Sequence, residues 1–376
     1  MRSPRVKSRK RAVSPSLEGL ETRELLSAVP QLHHVAALNN HHRLTTIAQI
    51  AATAPVLTST IPANGDVNPY GLAFVPPGFA FGGPLHPGDI LVGNFNSSAN
   101  LQGTGTTIVQ VTPNHQTSVF YQGPPGVGFN NGLSVLKRGF VVAAVVPSTD
   151  GTSSTAGQGS ILVLDRHANV VANFNDANLL NGPWSMTVVD QGSRALVFVS
   201  NVLSGTVSRF VLTVPSHGSN IHILSATQIA SGYTHRGDPA AFELGPAGLA
   251  YDARHNTLYV ASSADNAIYA IPNASRTADH GAGRLVYQDN VHLHGPVGLT
   301  FAPDGNLITA NGDGVNVDPN QPSELVEFTT RGQFVGQFSL NPNNGGAFNV
   351  LVSARPKHVL AAVNDNTSQL ETWNVG

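Results

Sequence analysis

The side chains able to do chemistry in this chain are sparse, and most of them are amides. His292 and His294 alternate with Val291 and Leu293 ahead of Gly295. An extended segment would send both rings to one side, where either imidazole could serve as general acid or base. Glu243, two residues before Gly245-Pro246, is a third candidate for proton transfer or for cation binding. Asn94, Asn201, Asn311 and Asn364 close apolar runs and open polar turns, accompanied by Asn96, Asp265, Asn266, Asp313 and Asp365. Such amide and carboxylate oxygens suit a hard cation, Ca2+ above all. They are equally what tight turns prefer, because Asn and Asp tolerate the left-handed region and bond their own backbone. Both readings stand at this point.

Composition narrows the chemistry further. Cys is absent, which removes disulfides, thiolate metal sites and Cys nucleophiles. No Ser nucleophile elbow, phosphate loop or HExxH helix occurs. Charged residues make up 11% of the 376, against 41% hydrophobic, so the chain can bury a sizeable core but has few ion pairs to place on its surface. Gly (38) and Pro (25) are plentiful, as expected of a turn-rich all-β protein. No apolar run reaches 18 residues, so no membrane-spanning helix is expected.

Charge is unevenly spread. Residues 1–28 hold seven of the 20 Lys/Arg and three of the 22 Asp/Glu, leaving 13 basic and 19 acidic side chains over the rest. A body with that balance repels phosphate backbones, and nucleic acid is not an expected partner. The basic start suggests export, although no clean apolar stretch follows it. Residues 29–55 include His33-His34 and His41-His42 and read as a partly disordered linker.

From residue 56 onward one pattern recurs. Asn68-Pro69-Tyr70-Gly71-Leu72, Asn130-Asn131-Gly132-Leu133, Gly182-Pro183-Trp184-Ser185-Met186, Gly245-Pro246-Ala247-Gly248-Leu249 and Gly295-Pro296-Val297-Gly298-Leu299 are successive copies. Ala347-Phe348-Asn349-Val350-Leu351 is a degenerate sixth, phased on Leu351. Each copy is followed by a turn, an apolar strand, a polar turn and further strands. Six units at blade length predict a six-bladed β-propeller of four-stranded antiparallel blades over residues 56–376. The last unit shows only three strands, so Val56–Ile61 is expected to close the ring as its outer strand.

These motifs resemble six-bladed propellers of the NHL and SMP-30 type, most closely in Gly248-Leu249-Ala250-x-Asp252 with Thr257-Leu258-Tyr259-Val260-Ala261, and in Gly298-Leu299-x-Phe301-x-Pro303-Asp304-Gly305-Asn306-Leu307. The lactonase branch implies a Glu ahead of the first inner strand and an Asp ahead of Gly-Leu in a later blade, as metal ligand and general base. Here those places read Val67-Asn68-Pro69, Ala247 and Val297. Leu17-Glu18-x-Leu20-Glu21-x-Arg23-x-Leu25-Leu26-Ser27 resembles the LEPR-XLL-type leader of planctomycete-like surface proteins and implies an extracytoplasmic location. Asn311–Asp318 resembles a Ca2+ loop in its oxygen density, with the EF-hand glycine and final Glu misplaced.

In a propeller, residues ahead of each inner strand gather at one channel mouth, here Asn68, Asn130, Asn131, Asn181, Glu243, His292, His294 and Asn349. The expectation is a monomeric binding or scaffold module whose ligand, a small molecule or a protein, meets the channel face. The alternative is a metal-dependent hydrolase or lyase-like enzyme at the same mouth. Tyr70 and Trp184 either stack on a ligand there or pack between blades. The insertion Pro76–Pro87, with Phe79 and Phe81, is a third candidate as a protein-docking segment.

Overall fold

The computed structural model describes residues 44–376 apart from 219, 355 and 356. The leader-like segment 1–28 and both His pairs lie outside the described residues.

Six four-stranded antiparallel sheets follow one another along the chain. Their innermost strands are Val67–Phe74, Phe129–Leu136, Pro183–Asp190, Pro246–Asp252, Pro296–Phe301 and Ala347–Val352. We number the blades 1 to 6 in that order. Blade 6 takes its outer strand from the beginning of the propeller: β1, Val56–Ser59, pairs antiparallel with Gln369–Thr372. Thr60 continues the seam, its N–H and hydroxyl both donating to the Ser368 carbonyl at 3.0 and 2.9 Å. Closure turns what would be two open edges into ladder hydrogen bonds, so no disulfide is needed to hold the ring.

A small helix tightens this seam. In α1, Thr46–Ala51, Thr45 caps the N-terminus by accepting from Ala48 N–H. The buried Glu327 carboxylate accepts from Ile47 N–H at 2.8 Å. Ile47 and Ile50 then pack into the hydrophobic cluster between blades 5 and 6. The compact unit therefore begins at Leu44, and the last part of the segment expected as linker, 29–55, belongs to it because two isoleucines there find apolar cover.

The Gly-Leu repeat has a steric cause. A Cβ on Gly248 would stand 2.6 Å from backbone atoms of Gly298 and Leu299, and one on Gly298 would stand 2.8 Å from Asn349 Cα. Inner strands of neighbouring blades meet at these points near the axis, where only hydrogen fits. Every inner strand also shifts register against its neighbour just here, a bulge that turns the strand toward the axis. Blade 6 departs from the expected phase. Asn349 pairs with Val363 and Val350 with Ala362, as Gly298 pairs with Ala310 and Leu299 with Thr309. The phase residue is thus Val350, one before Leu351, because Asn349 occupies the glycine position.

Packing follows the blades. Six hydrophobic clusters each lie between two adjacent blades, and a seventh sits on the axis. Leu72, Leu133, Met186, Leu249, Leu299 and Val350 each enter one of the six.

Candidate functional site

The axial channel has three zones. At the mouth where inner strands begin, Tyr70, Phe95, Trp184, Phe242 and Phe348 fill the axis together with Val202, Ala247 and Val297. Tyr70 stacks on Phe348 at 4.6 Å between centroids, and Trp184 stacks on Phe242 at 6.2 Å and meets Phe95 edge-on at 5.6 Å. Trp184 is 1% exposed, so Tyr70 and Trp184 are packing residues. Phe242 comes from a hairpin, Arg236–Asp238 with Phe242–Leu244, inserted between blades 3 and 4. Its backbone takes φ 63°, an uncommon conformation for an aromatic residue, and its ring enters the plug. Gln102 of blade 1 donates to the Ala240 carbonyl of this hairpin at 3.0 Å.

Below the plug Asn131 reaches across the channel and Asn349 bridges two neighbouring blades. Asn131 Nδ2 donates to the Val297 carbonyl at 3.1 Å and Asn349 Nδ2 to the Tyr70 carbonyl at 3.0 Å. These side chains join blades 2, 5, 6 and 1 and form a polar floor. Asn131 Oδ1 is buried and has no partner.

Beyond the floor the channel opens into a cavity of about 680 Å3 toward the mouth where inner strands end. All six phase residues line it, with Leu351, Ser134 and Thr187 also on the walls, and Pro76, Pro87, Asp190 and Lys357 toward the rim. It is a blind, mostly apolar funnel with a few polar groups, the composition expected of a small-molecule site.

The residues singled out by type and spacing are scattered by the fold. Asn94 Nδ2 donates to Thr60 O and Thr107 Oγ1. Asn201 Nδ2 donates to Thr206 Oγ1 and Ser208 Oγ. Asn311 Nδ2 donates to His292 O at 2.8 Å, and Asn364 Nδ2 donates to Glu371 Oε1 at 2.8 Å. Each amide pins its own stretch of chain, and the four do not meet. Among the described residues no three His, Cys, Asp or Glu side chains are arranged to hold a metal ion.

His292 and His294 do not share a side. Residues 289–295 form a turn in which Asp289 Oδ1 accepts from the N–H groups of Val291 and His292. His292 faces outward, stacked on Phe334 at 3.8 Å with Nδ1 2.8 Å from Asp289 Oδ2. His294 turns inward and is 2% exposed, its Nε2 3.1 Å from Glu324 Oε1. Burial, and then Asp313, push the Glu324 carboxyl up to about 8. Glu243 lies in the inserted hairpin, where burial and then Asp238 push it up to about 7.

The lactonase-type metal does not fit this mouth. The positions where the resemblance implies acid groups hold Ala247 and Val297, both buried in the aromatic plug, and Asn68 stands in place of the first Glu. The insertion Pro76–Pro87 splits in two: Phe79 is buried and Phe81 is 87% exposed. The funnel is not foreshadowed by the residues before each inner strand, which carry the polar side chains. Leu72 and its counterparts were the available signal, legible in the sequence only as phase markers.

No protein-family model and no curated protein matches the chain. Among solved structures it is similar to a provisionally assigned gluconolactonase, at 13% identity and TM-score 0.54 over 85% of this chain and 92% of that one. A gluconolactonase from Xanthomonas campestris gives 14% and 0.52 over 88% and 94%. The calcium-binding protein regucalcin from Agrobacterium tumefaciens gives 11% and 0.52 over 86% and 94%. These likenesses establish the six-bladed architecture shared with SMP-30 and gluconolactonase-like propellers. Among the described residues no helix is long and apolar enough to cross a membrane.

Proposed function

We propose that this propeller binds a small, largely apolar molecule in the axial funnel, entering from the mouth where the inner strands end. The observation carrying this reading is the cavity of about 680 Å3 lined by a residue from every blade, with the unpartnered Asn131 Oδ1 at its floor. Asn131 Oδ1 is itself shielded from the cavity, so a ligand hydroxyl or N–H would reach this unpartnered acceptor as the amide turns toward the funnel. The test is titration with anilinonaphthalene sulfonate, an apolar fluorescent probe. Saturable binding in the parent chain and its loss in both Leu249→Arg and Thr187→Trp support the funnel. Equal binding in a folded Thr187→Trp overturns it.

The second reading is the enzyme. The comparisons lean toward it rather than toward a passive scaffold, since gluconolactonases share this fold. The side chains at the plugged mouth lean the other way. Hydrolysis of a sugar lactone with Ca2+ or Zn2+ added decides: turnover that Thr187→Trp abolishes would make the funnel an active site. Turnover that Thr187→Trp leaves intact would move the chemistry elsewhere. Export, the setting we propose, rests on the leader-like residues 17–27.

A further inference from the structure

Away from the axis, blade 5 buries a cluster of polar groups that its own fold leaves unsatisfied. Glu324 Oε2, Asp313 Oδ1 and Asn311 Oδ1 are buried without a hydrogen-bond partner, and His294 Nε2 and Glu324 Oε1, 3.1 Å apart, have only each other. The four side chains are 2%, 0%, 8% and 0% exposed. They converge beneath the connection 312–323, from the end of the second strand (Leu307–Asn311), the start of the third (Glu324–Phe328) and the turn ahead of the inner strand. Among the described residues the only ion-pair partner of either carboxylate is His294. Two buried acids face one imidazole, an arrangement that a low-dielectric interior tolerates only when the charge is neutralised, by a proton or by a cation.

The orientation of His294 adds a second, independent sign. Its Nδ1 bonds the Asn316 carbonyl, which places the ring proton on Nδ1 and leaves the Nε2 lone pair directed at Glu324. Metal-binding histidines are oriented by this kind of outer hydrogen bond. The Nε2–Oε1 separation of 3.1 Å also suits a shared ion. Two donors each about 2.0–2.2 Å from one metal, at 90–110°, stand roughly 2.8–3.6 Å apart. Asp313 is anchored from the other side, its Oδ2 accepting from Ser323 N–H and Gly345 N–H at 2.8 Å each.

We propose that His294 Nε2, the Glu324 carboxylate and Asn311 Oδ1 form a site for a divalent cation of the imidazole-accepting class, Zn2+ or Mn2+, with Asp313 as outer counter-charge and water completing the shell. One nitrogen with harder oxygens favours these ions over Ca2+, which takes oxygen throughout. The site is separate from the funnel, and its role is to hold the connection 312–323 within blade 5.

The experiment is a titration of the chelator-treated full chain with Zn2+ and with Mn2+, read by metal content and thermal unfolding. The expected result is about one ion per chain and a Tm raised by several degrees at saturation. Glu324→Gln and His294→Gln should each weaken binding by about tenfold or more. Binding that survives both substitutions places the ion elsewhere, and absence of any Tm shift with either metal leaves a proton-sharing His–Glu pair. Either result overturns the proposal. Should the variants not fold, anomalous scattering at the zinc edge from crystals of the parent chain grown with Zn2+ decides: a peak within about 2.2 Å of His294 Nε2 supports the site, and an empty position overturns it.

Discussion

At the mouth where the inner strands begin, five aromatic rings interlock and a hairpin closes over them. At the mouth where they end, the same six strands stand around open space. The contrast arises from the side chains on either flank of each Gly-Leu pair. Ahead of it stand Tyr70, Trp184, Ala247, Val297 and Phe348, side chains that fill the taper. Behind it the strands diverge and their Leu and Val side chains are left with an open flank. Six-fold architecture therefore sets where a site can lie, and the residues at each end decide which mouth stays open.

The comparison can be broken by unequal truncation. Trp184→Ala should destabilise the fold by about 3–5 kcal/mol, because the plug is packed on all sides. Leu249→Ala, on the funnel wall, should fall near the lower limit of about 2 kcal/mol, because one flank already faces a cavity. Urea unfolding of the two variants measures the difference, and equal values would mean that the mouths are packed alike. Gly248→Val tests the convergence of strands between the two mouths. Its Cβ meets backbone, which cannot shift as a side chain can, so a loss of about 3 kcal/mol is expected in the same assay.

Asn131→Ala sharpens the boundary. Removing its amide leaves the Val297 carbonyl unpaired, a loss of about 1–3 kcal/mol, and opens the floor beneath the funnel. Weaker binding of an alcohol-bearing probe than of its methyl ether in the parent chain would contradict the role given to Asn131 Oδ1. The smallest effect concerns pH. The Glu243 carboxyl in the hairpin titrates at about 7, above its ordinary 4.5, so its protonated form is the one the fold favours. Stability should then fall as pH rises from about 4.5 to 7, and Glu243→Gln should flatten that part of the profile measured by thermal unfolding. The opposite slope would show that the hairpin holds Glu243 ionised.

Much of the architecture was legible from the repeat. Five of six phase residues, the four-stranded grammar of the blades and the closing strand at Val56 were all readable. They follow from local requirements: glycine where strands converge, alternation in the strands and turn residues between them. The sixth phase residue lies one place earlier than the repeat suggests because Asn349 replaces the glycine that marks most of the others. The candidate site was legible only as a set of polar residues. His292 and His294 looked equivalent, and one turn around Asp289 sent the first to the surface and the second into blade 5. Glu324, partner of His294 across the blade, begins an apolar strand and carries no local signal.

The sequence by itself determined six repeating units and the means of joining their ends, because strand period, glycine spacing and turn chemistry act between near neighbours in the chain. Only the tertiary structure decided that one mouth is plugged and the other open, and that Asn131, Asn349 and His294 turn inward. Those outcomes depend on side chains from blades far apart in sequence competing for the same volume around one axis.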